Sequence, residues 1–329
     1  MKKGMLIVVL FIINIIVGCF LFGYIYYHFE PNIHNYIQSI REYRRNSKLY
    51  DTLWHYEYDV NTLKILECDT NAWYCKYMVE CHGGGGIDGK INTNCLEGWY
   101  ESYRRGIRLF DADINMTRDN KVVLCHSWED NVERTGERIN RSLAINNITG
   151  YPRYICTYNP LSSLEFKERK IFGRYTPMIL EDMLEFMINH NDIFVVAHIN
   201  SDCNISETYN SIIETCIQMK GADLLDRIIM SVASEEEVFS IKRIRPNTEL
   251  ALRFYSDQGN YTRALKICVD NDIHVIMMAQ KFVEPDVVNL FKSHGVHIFV
   301  GTIEYDSEFD YYIDMGCSGC VSDFLYERK

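Results

Sequence analysis

Eight short apolar runs, separated by longer amphipathic stretches, constrain this chain more than any other feature of its 329 residues. The runs cover residues 76–81, 107–113, 193–199, 227–232, 249–254, 274–279, 297–302 and 319–322. Most are nearly continuous in apolar residues, as strands buried on both faces are, and each is too short for a globular helix. The stretches 94–105, 180–190, 206–220, 235–244, 261–271, 285–294 and 307–315 instead carry helical spacing. Their starts are marked: Pro285 suits a first turn, Thr176-Pro177 precedes another helix, and Ser234 followed by Glu235, Glu236 and Glu237 favours the positive end of a helix dipole. Strands alternating with helices imply parallel pairing, and eight of them in about 250 residues predict a (β/α)8 TIM barrel of class α/β. A doubly wound open sheet would need fewer strands or a split domain. A hydrophobic content of 47% supplies the core that such a barrel requires and excludes a disordered chain. Residues 126–176 break the rhythm with Pro152, Pro160 and little periodicity, and read as an excursion loop at the barrel mouth.

The amino terminus is of a different kind. Residues 5–27 contain no charge and follow Lys2 and Lys3, which is long enough to cross a bilayer as a helix. A cleaved signal peptide has a shorter apolar core, so residues 1–28 read as an uncleaved membrane anchor. Ile16-Val17-Gly18-Cys19 resembles a lipoprotein cleavage box, yet Phe20, Leu21 and Phe22 stay apolar beyond it. Arg41, Arg44, Arg45 and Lys48 offset the two N-terminal lysines, and a long domain behind one short anchor translocates largely regardless of flanking charge. The expected placement is therefore a single-pass protein of the cell membrane with its folded domain outside. Residues 29–72, with Ile33, Ile37 and Ile40 at helical spacing, form a stalk or a barrel-covering segment, and the barrel occupies 73–329.

Charge and cysteines narrow the partners. With 45 acidic against 34 basic residues the net charge is −11, and no long basic tract is present, which argues against a nucleic-acid backbone and for a cation or a polar small molecule. Of the 12 cysteines, Cys19 lies in the anchor, and the eleven that remain cannot all pair within one chain. Cys68 with Cys75 or Cys81 is the best disulfide pairing, whereas Cys81, Cys125, Cys268 and Cys320 sit in apolar runs where free cysteine packs as a small hydrophobe. Cys317 and Cys320 lack the second pair that a zinc ribbon needs.

In a barrel of this type the active site forms at the carboxyl ends of the strands. His82 follows the first strand at once, and Gly83 to Gly86 allow the backbone to approach an anion closely. Alternation places Leu109, Asp111 and Asp113 on one face of the second strand, and two adjacent carboxylates call for a cation between them. A turn at residues 117–121 then returns residues 122–126 as a short strand, bringing His126 back over the carboxylates. Two histidines can divide the work of proton removal and proton delivery that phosphodiester cleavage demands near neutral pH.

These residues together resemble the glycerophosphodiester phosphodiesterase family, within the wider phosphatidylinositol-phospholipase-C-like barrels. The resemblance rests on His82-Gly83-Gly84, Thr93-Asn94-Cys95-Leu96-Glu97, Gly106, Asp111-Ala112-Asp113, Thr117-Arg118-Asp119-Asn120, His126-Ser127-Trp128 and, in the last strand, Ser322-Asp323. It implies that His82 and His126 are acid and base, that carboxylates hold a divalent metal, and that a phosphodiester is hydrolysed. The chain departs from the pattern in four places. Asp111 replaces a glutamate, Gly83 replaces an arginine, and His198 and Asn200 stand where the third strand carries an acid and a lysine. Gly301-Thr302-Ile303-Glu304 replaces an aromatic-Thr-Val-Asn sequence.

The expected enzyme is thus a membrane-anchored, metal-dependent phosphoric diester hydrolase acting on a glycerophosphodiester or a phospholipid head group. Asp111 and Asp113 hold the metal with His198, or Glu304, completing its shell; Gly83, Gly84 and Arg253 contact the phosphate. Magnesium or calcium suits the carboxylates, and zinc or manganese suits a site that includes His198. Two other readings keep the fold: a barrel that has lost turnover and acts as a membrane-tethered binding protein, and a sphingomyelinase-D-like enzyme that transfers the phosphoryl group to an internal hydroxyl to give a cyclic phosphate.

Overall fold

The computed structural model describes residues 59–128, 131, 134, 141–145, 152–156, 160–255 and 260–328. The expected anchor at 1–28 and most of the segment 29–72 lie outside the described residues; among those described, no helix is long and apolar enough to cross a membrane.

Eight parallel strands close into a barrel. They are β1 (Val79–Cys81), β2 (Leu109–Met116), β6 (Phe194–Ile199), β7 (Ile228–Val232), β8 (Leu250–Phe254), β9 (Val275–Ala279), β10 (His297–Gly301) and β11 (Gly319–Ser322). Each pairs with the next in sequence, and β11 pairs with β1, which pairs with β2. A short strand β3 (Val122–Leu124) returns antiparallel along the end of β2, with Ile114 opposite Leu124. The strands fall within two residues of the apolar runs at almost every end, because continuous burial on both faces leaves a signal that local turns do not blur. The helices expected from the spacing form at Leu96–Arg104, Leu180–Asn189, Ile205–Gln218, Glu235–Ile244, Tyr261–Asn271, Pro285–Lys292 and Asp306–Met315. Ser234 caps its helix by accepting from Glu237 N, and Pro285 occupies the first turn of another.

The excursion between His126 and Thr176 is more ordered than its sequence suggests. It contains an antiparallel hairpin, β4 (Arg141–Ile145) with β5 (Pro152–Cys156), and a helix Ser163–Glu168 closed by a capping box between Ser162 and Glu165. Pro152 is the first residue of its strand, a position that tolerates proline.

Alternation sorts each barrel strand. Leu109, Val196, Ile229, Ala251, Val275, Met277, Phe299 and Val321 face inward as one cluster. The short helix Trp73–Lys76 plugs the amino-terminal end of the barrel with Trp73 and Tyr74, the former 6.0 Å from the Phe299 ring centroid. Because neighbours in register share a face, Glu80, which is opposite both Val321 and Leu109, also points into the barrel. The same step of two residues carries the inward face from Glu80 to His82, from Leu109 to Asp111 and Asp113, from Val196 to His198, and from Ala251 to Arg253. Polar residues therefore gather at the carboxyl ends of the strands above an apolar floor.

Candidate active site

His82 starts the turn after β1, where Gly83 and Gly84 adopt positive φ of +49° and +77°. A Cβ on Gly84 would sit 2.1 Å from Trp99 Nε1, so the turn closes against buried Trp99 only with glycine there. This tight turn aims Gly83 N at Asp111 Oδ2, to which it donates at 2.9 Å. The glycine run thus holds the metal-ligand candidate in place. The position at which the family pattern carries arginine is packed against Asn92, whose Oδ1 would lie 2.0 Å from a Cβ on Gly83.

The His82 ring is anchored from the last strand. Nδ1 lies 3.0 Å from Asp323 Oδ2, and Asp323 is itself held by Arg105 Nη1 donating to its carbonyl at 2.9 Å and by Asn92 N donating to its Oδ1. On the other side, His82 Nε2 lies 3.1 Å from Asn92 Nδ2. Burial pulls the imidazole pKa down, but the Asp323 hydrogen bond and the charges of Asp111, Asp323 and Asp113 prevail and raise it to about 9.

Asp111 and Asp113 are buried side by side on β2. Burial and the neighbouring Asp113 push the Asp111 carboxyl up to about 6, against the pull of His82, the Gly83 N–H and His198. Burial acts upward on Asp113 too, yet hydrogen bonding and charge from His198, the charge of His126, and Asn94 hold it below the usual carboxylate range. Asn94 Nδ2 donates to Asp113 Oδ2 at 2.8 Å, and His198 Nδ1 lies 3.5 Å from Asp113 Oδ1. Under this pair sits Glu80, buried, with Oε1 lacking any hydrogen-bond partner; burial and Asp111 keep its carboxyl well above the usual range. Tyr255, just past β8, has its hydroxyl pKa raised by burial and by the charges of Glu80, Asp111 and Asp113.

Not every residue expected at the site stands free to act there. His198 is engaged at both ring nitrogens, by Asp113 at Nδ1 and by Arg253 Nη1 at Nε2. Arg253 is largely buried, and its Nη2 lies 3.3 Å from Glu237 Oε2, while its Nε has no partner. It belongs to the interior of the mouth, but with a carboxylate already beside it. Glu304 accepts from Ser322 Oγ, Asp323 N and Phe324 N, so it braces the turn that presents Asp323 and lies outside the carboxylate pair. His126 is exposed on the rim beyond β3, where Cys125 N donates to Asp113 O at 2.9 Å and Asn200 Nδ2 donates to His126 O at 2.7 Å.

Three site residues escaped the sequence reading as functional candidates. Asp323 was visible only as part of the last strand's resemblance, Asn92 sat in a polar turn, and Glu80 lay in an otherwise apolar strand. An acid two residues before a strand-end histidine, on the same face, was the available signal for Glu80.

The donor set has the chemistry of a divalent-cation site. Two buried carboxylates share one face, and a third buried acid with an unpartnered oxygen lies beneath them, which is an oxygen-rich arrangement that a hard cation would neutralise. Asp111 and Asp113 fit this role, whereas His198 does so only after releasing one of its present partners. Cys68, Cys75 and Cys81 remain unbridged: Cys81 is buried in β1, and Cys68 Sγ is 3.5 Å from Cys75 Sγ.

Fold and site define a (β/α)8 enzyme whose polar machinery crowns the carboxyl ends of the strands. The chain belongs to the glycerophosphoryl diester phosphodiesterase family, a family of phosphodiesterases whose model matches residues 85–327, beginning just after His82. Solved structures of similar fold include a phosphodiesterase from Oleispira antarctica in complex with the product sn-glycerol-3-phosphate, 17% identical, covering 75% of this chain and 92% of that one with a TM-score of 0.58. A glycerophosphodiester phosphodiesterase from Parabacteroides distasonis is 19% identical, covers 75% and 92%, and has a TM-score of 0.54. A glycerophosphodiester phosphodiesterase from Thermotoga maritima is 18% identical, covers 75% and 94%, and has a TM-score of 0.52. A comparison with curated protein sequences finds no match.

Proposed function

We propose that this chain hydrolyses glycerophosphodiesters or phospholipid head groups at the barrel mouth, with His82 as general acid and His126 as general base. The observation that carries the reading is the His82–Asp323 pair, at 3.0 Å, set beside the buried Asp111 and Asp113 carboxylates. An imidazole raised to about 9 is protonated on both nitrogens at neutral pH. Nδ1 is then held by Asp323, and Nε2, which as a donor has no use for the Asn92 amide nitrogen, is available to a phosphodiester oxygen.

In this reading a water oxygen attacks phosphorus while His126 takes its proton. The bond from phosphorus to the leaving oxygen breaks, and His82 Nε2 gives its proton to that oxygen. The products are a phosphomonoester and an alcohol, and the two histidines exchange protons with solvent to reset. Asp111 and Asp113 would hold the divalent cation, magnesium or calcium given a set built on oxygen donors. When bound, such a cation supplies charge stabilisation for the phosphoryl oxygens. Gly83 and Gly84 shape the turn beside the phosphate, and Arg253 supplies positive charge across the mouth from β8. Product-bound sn-glycerol-3-phosphate in the Oleispira antarctica neighbour supports a glycerophosphodiester as the substrate class. Residues 5–27 tether the barrel to a membrane and place the mouth outside the cell, a topology that protease accessibility of the barrel in intact cells would check.

The deciding experiment is release of glycerol 3-phosphate from glycerophosphocholine and glycerophosphoethanolamine by the purified chain with magnesium or calcium. Hydrolysis that His82→Ala abolishes supports the assignment. Cation-dependent hydrolysis that persists in that variant defeats it, and a cyclic phosphate product would replace water by an internal hydroxyl as the nucleophile.

A further inference from the structure

At the opposite end of the barrel, three separate pieces of chain bring two thiols and an imidazole together. Cys68 precedes the plug helix, Cys75 lies in it, and His297 is the first residue of β10. Cys68 Sγ is 3.5 Å from Cys75 Sγ and 3.6 Å from His297 Nε2, and the three donor atoms all lie within 4.8 Å of one another. Among the described residues this is the one group of His, Cys, Asp and Glu side chains so closely gathered.

The distances discriminate between chemistries. A tetrahedral zinc ion with Zn–S of about 2.3 Å and Zn–N of about 2.05 Å separates two sulfurs by about 3.7 Å, and sulfur from nitrogen by about 3.5 Å. The Cys68–Cys75 and Cys68–His297 spacings agree with these to a few tenths of an ångström, and Cys75 Sγ lies within 4.8 Å of the imidazole nitrogen. A disulfide needs its sulfurs at about 2.05 Å, so the two cysteines stand at a ligand spacing rather than a bonding one. The imidazole is also oriented as metal-bound histidines are. His297 Nδ1 lies 2.8 Å from Ser318 Oγ, and donation to that hydroxyl leaves a lone pair on Nε2 facing Cys68. The Tyr74 ring packs 4.8 Å from His297 and fixes its other face, whereas nearby His274 is turned away, its Nε2 engaged with Glu67 O at 3.1 Å. Both thiols are exposed, and a cleft lined in part by Cys68, His297, Cys317 and Ser318 gives an ion access and room for a water as fourth ligand.

We propose that Cys68, Cys75 and His297 bind zinc, clasping the plug helix and the chain before it to the base of β10. The clasp joins residues 229 positions apart in sequence, and it would hold shut the end of the barrel at which no chemistry occurs. The site is separate from the mouth, so its existence does not depend on the phosphodiesterase reading.

The test uses the full chain, reduced, stripped with chelator and kept anaerobic. Cobalt should produce a thiolate-to-cobalt charge-transfer absorption that saturates at one equivalent and is displaced by zinc, and zinc should raise the unfolding temperature. Cys75→Ser and Cys68→Ser should each abolish the absorption, and Ser318→Ala should weaken zinc binding about tenfold or more by freeing the imidazole. Should the cysteine variants fail to fold, zinc protection of Cys68 and Cys75 from alkylation in the unaltered chain, located by peptide mass, decides the matter. Absence of the charge-transfer band in the folded, reduced chain overturns the proposal. So does a band that survives both cysteine substitutions, a lack of zinc protection at the two thiols, or a Cys68–Cys75 disulfide that forms in the presence of excess zinc.

Discussion

The two ends of this barrel are built on opposite principles. At the amino-terminal end, Trp73 and Tyr74 close the interior by apolar packing against Phe299 and its neighbours. At the carboxyl end, Glu80, Asp111, Asp113 and Asp323 are all buried, with His82 against Asp323, His198 beside Asp113 and Arg105 on the Asp323 carbonyl. The base gains stability from area removed from water. The mouth gives some of it up, since buried like charges resist ionisation and Glu80 Oε1 goes without a partner. The candidate site thus lies where the fold is electrostatically unsettled, and the apolar packing closes the other end.

Substitutions at the two ends should therefore separate activity from stability. The largest expected effect is at the mouth: His82→Ala should lower kcat of the folded chain about 10²–10⁴-fold, as loss of a general acid does, and should also lower the unfolding temperature, because it removes the partner of buried Asp323. At the base, Trp73→Ala should cost about 3–5 kcal/mol of stability by leaving a cavity under the barrel, while kcat of the folded fraction stays near that of the parent. Denaturant unfolding beside steady-state kinetics would check both, and a Trp73→Ala chain that is stable but inactive would break the contrast.

A third substitution should move the two quantities in opposite directions. Asp111→Asn retains an oxygen for the Gly83 N–H but removes a buried charge whose pKa is raised to about 6. A raised carboxyl contributes stability that is present below its ordinary pKa and lost as pH climbs through about 6. In chelator at neutral pH the variant should therefore be more stable by on the order of 1–3 kcal/mol, and inactive. Thermal unfolding at pH 7 and pH 4 would show the gain at the higher pH and its disappearance at the lower.

A smaller effect concerns pH. Because Asp323, Asp111 and Asp113 raise His82 to about 9, its contribution to stability is complete below about pH 6.5 and is lost as pH rises through about 9. Activity that needs the protonated ring should fall along the same alkaline limb. Asp323→Asn should shift that limb to lower pH by about one unit or more, read from kcat/KM profiles. The smallest effect tests the frame rather than either end: Ser234→Ala should cost about 1 kcal/mol through its helix cap and leave the pH profile unmoved.

How much of this was legible depended on how local each signal was. Residues 228–232, 250–254 and 275–279 announce themselves as strands because each is buried on both faces and needs apolar side chains throughout. Asp111 and Asp113 could be placed on one face by counting, since alternation along a strand survives any tertiary context. The β4–β5 hairpin was not legible, because Pro152 and its polar surroundings read as loop when no partner strand is known. The roles of Arg253 and Glu304 were equally hidden. Arg253 promised a free cation but lies against Glu237, and Glu304, a candidate ligand, holds the turn beneath Asp323.

The sequence by itself determined the alternation, and with it a closed parallel barrel that carries His82, Asp111, Asp113 and His198 upward on its inner face. Only the tertiary structure decided which of them meet. Asp323 reaches His82 across 241 positions because β11 closes the barrel beside β1, and Cys68 reaches His297 because the plug helix folds under β10. Periodicity encodes which face a side chain takes; barrel closure, a property of all eight strands together, sets which distant side chains share it.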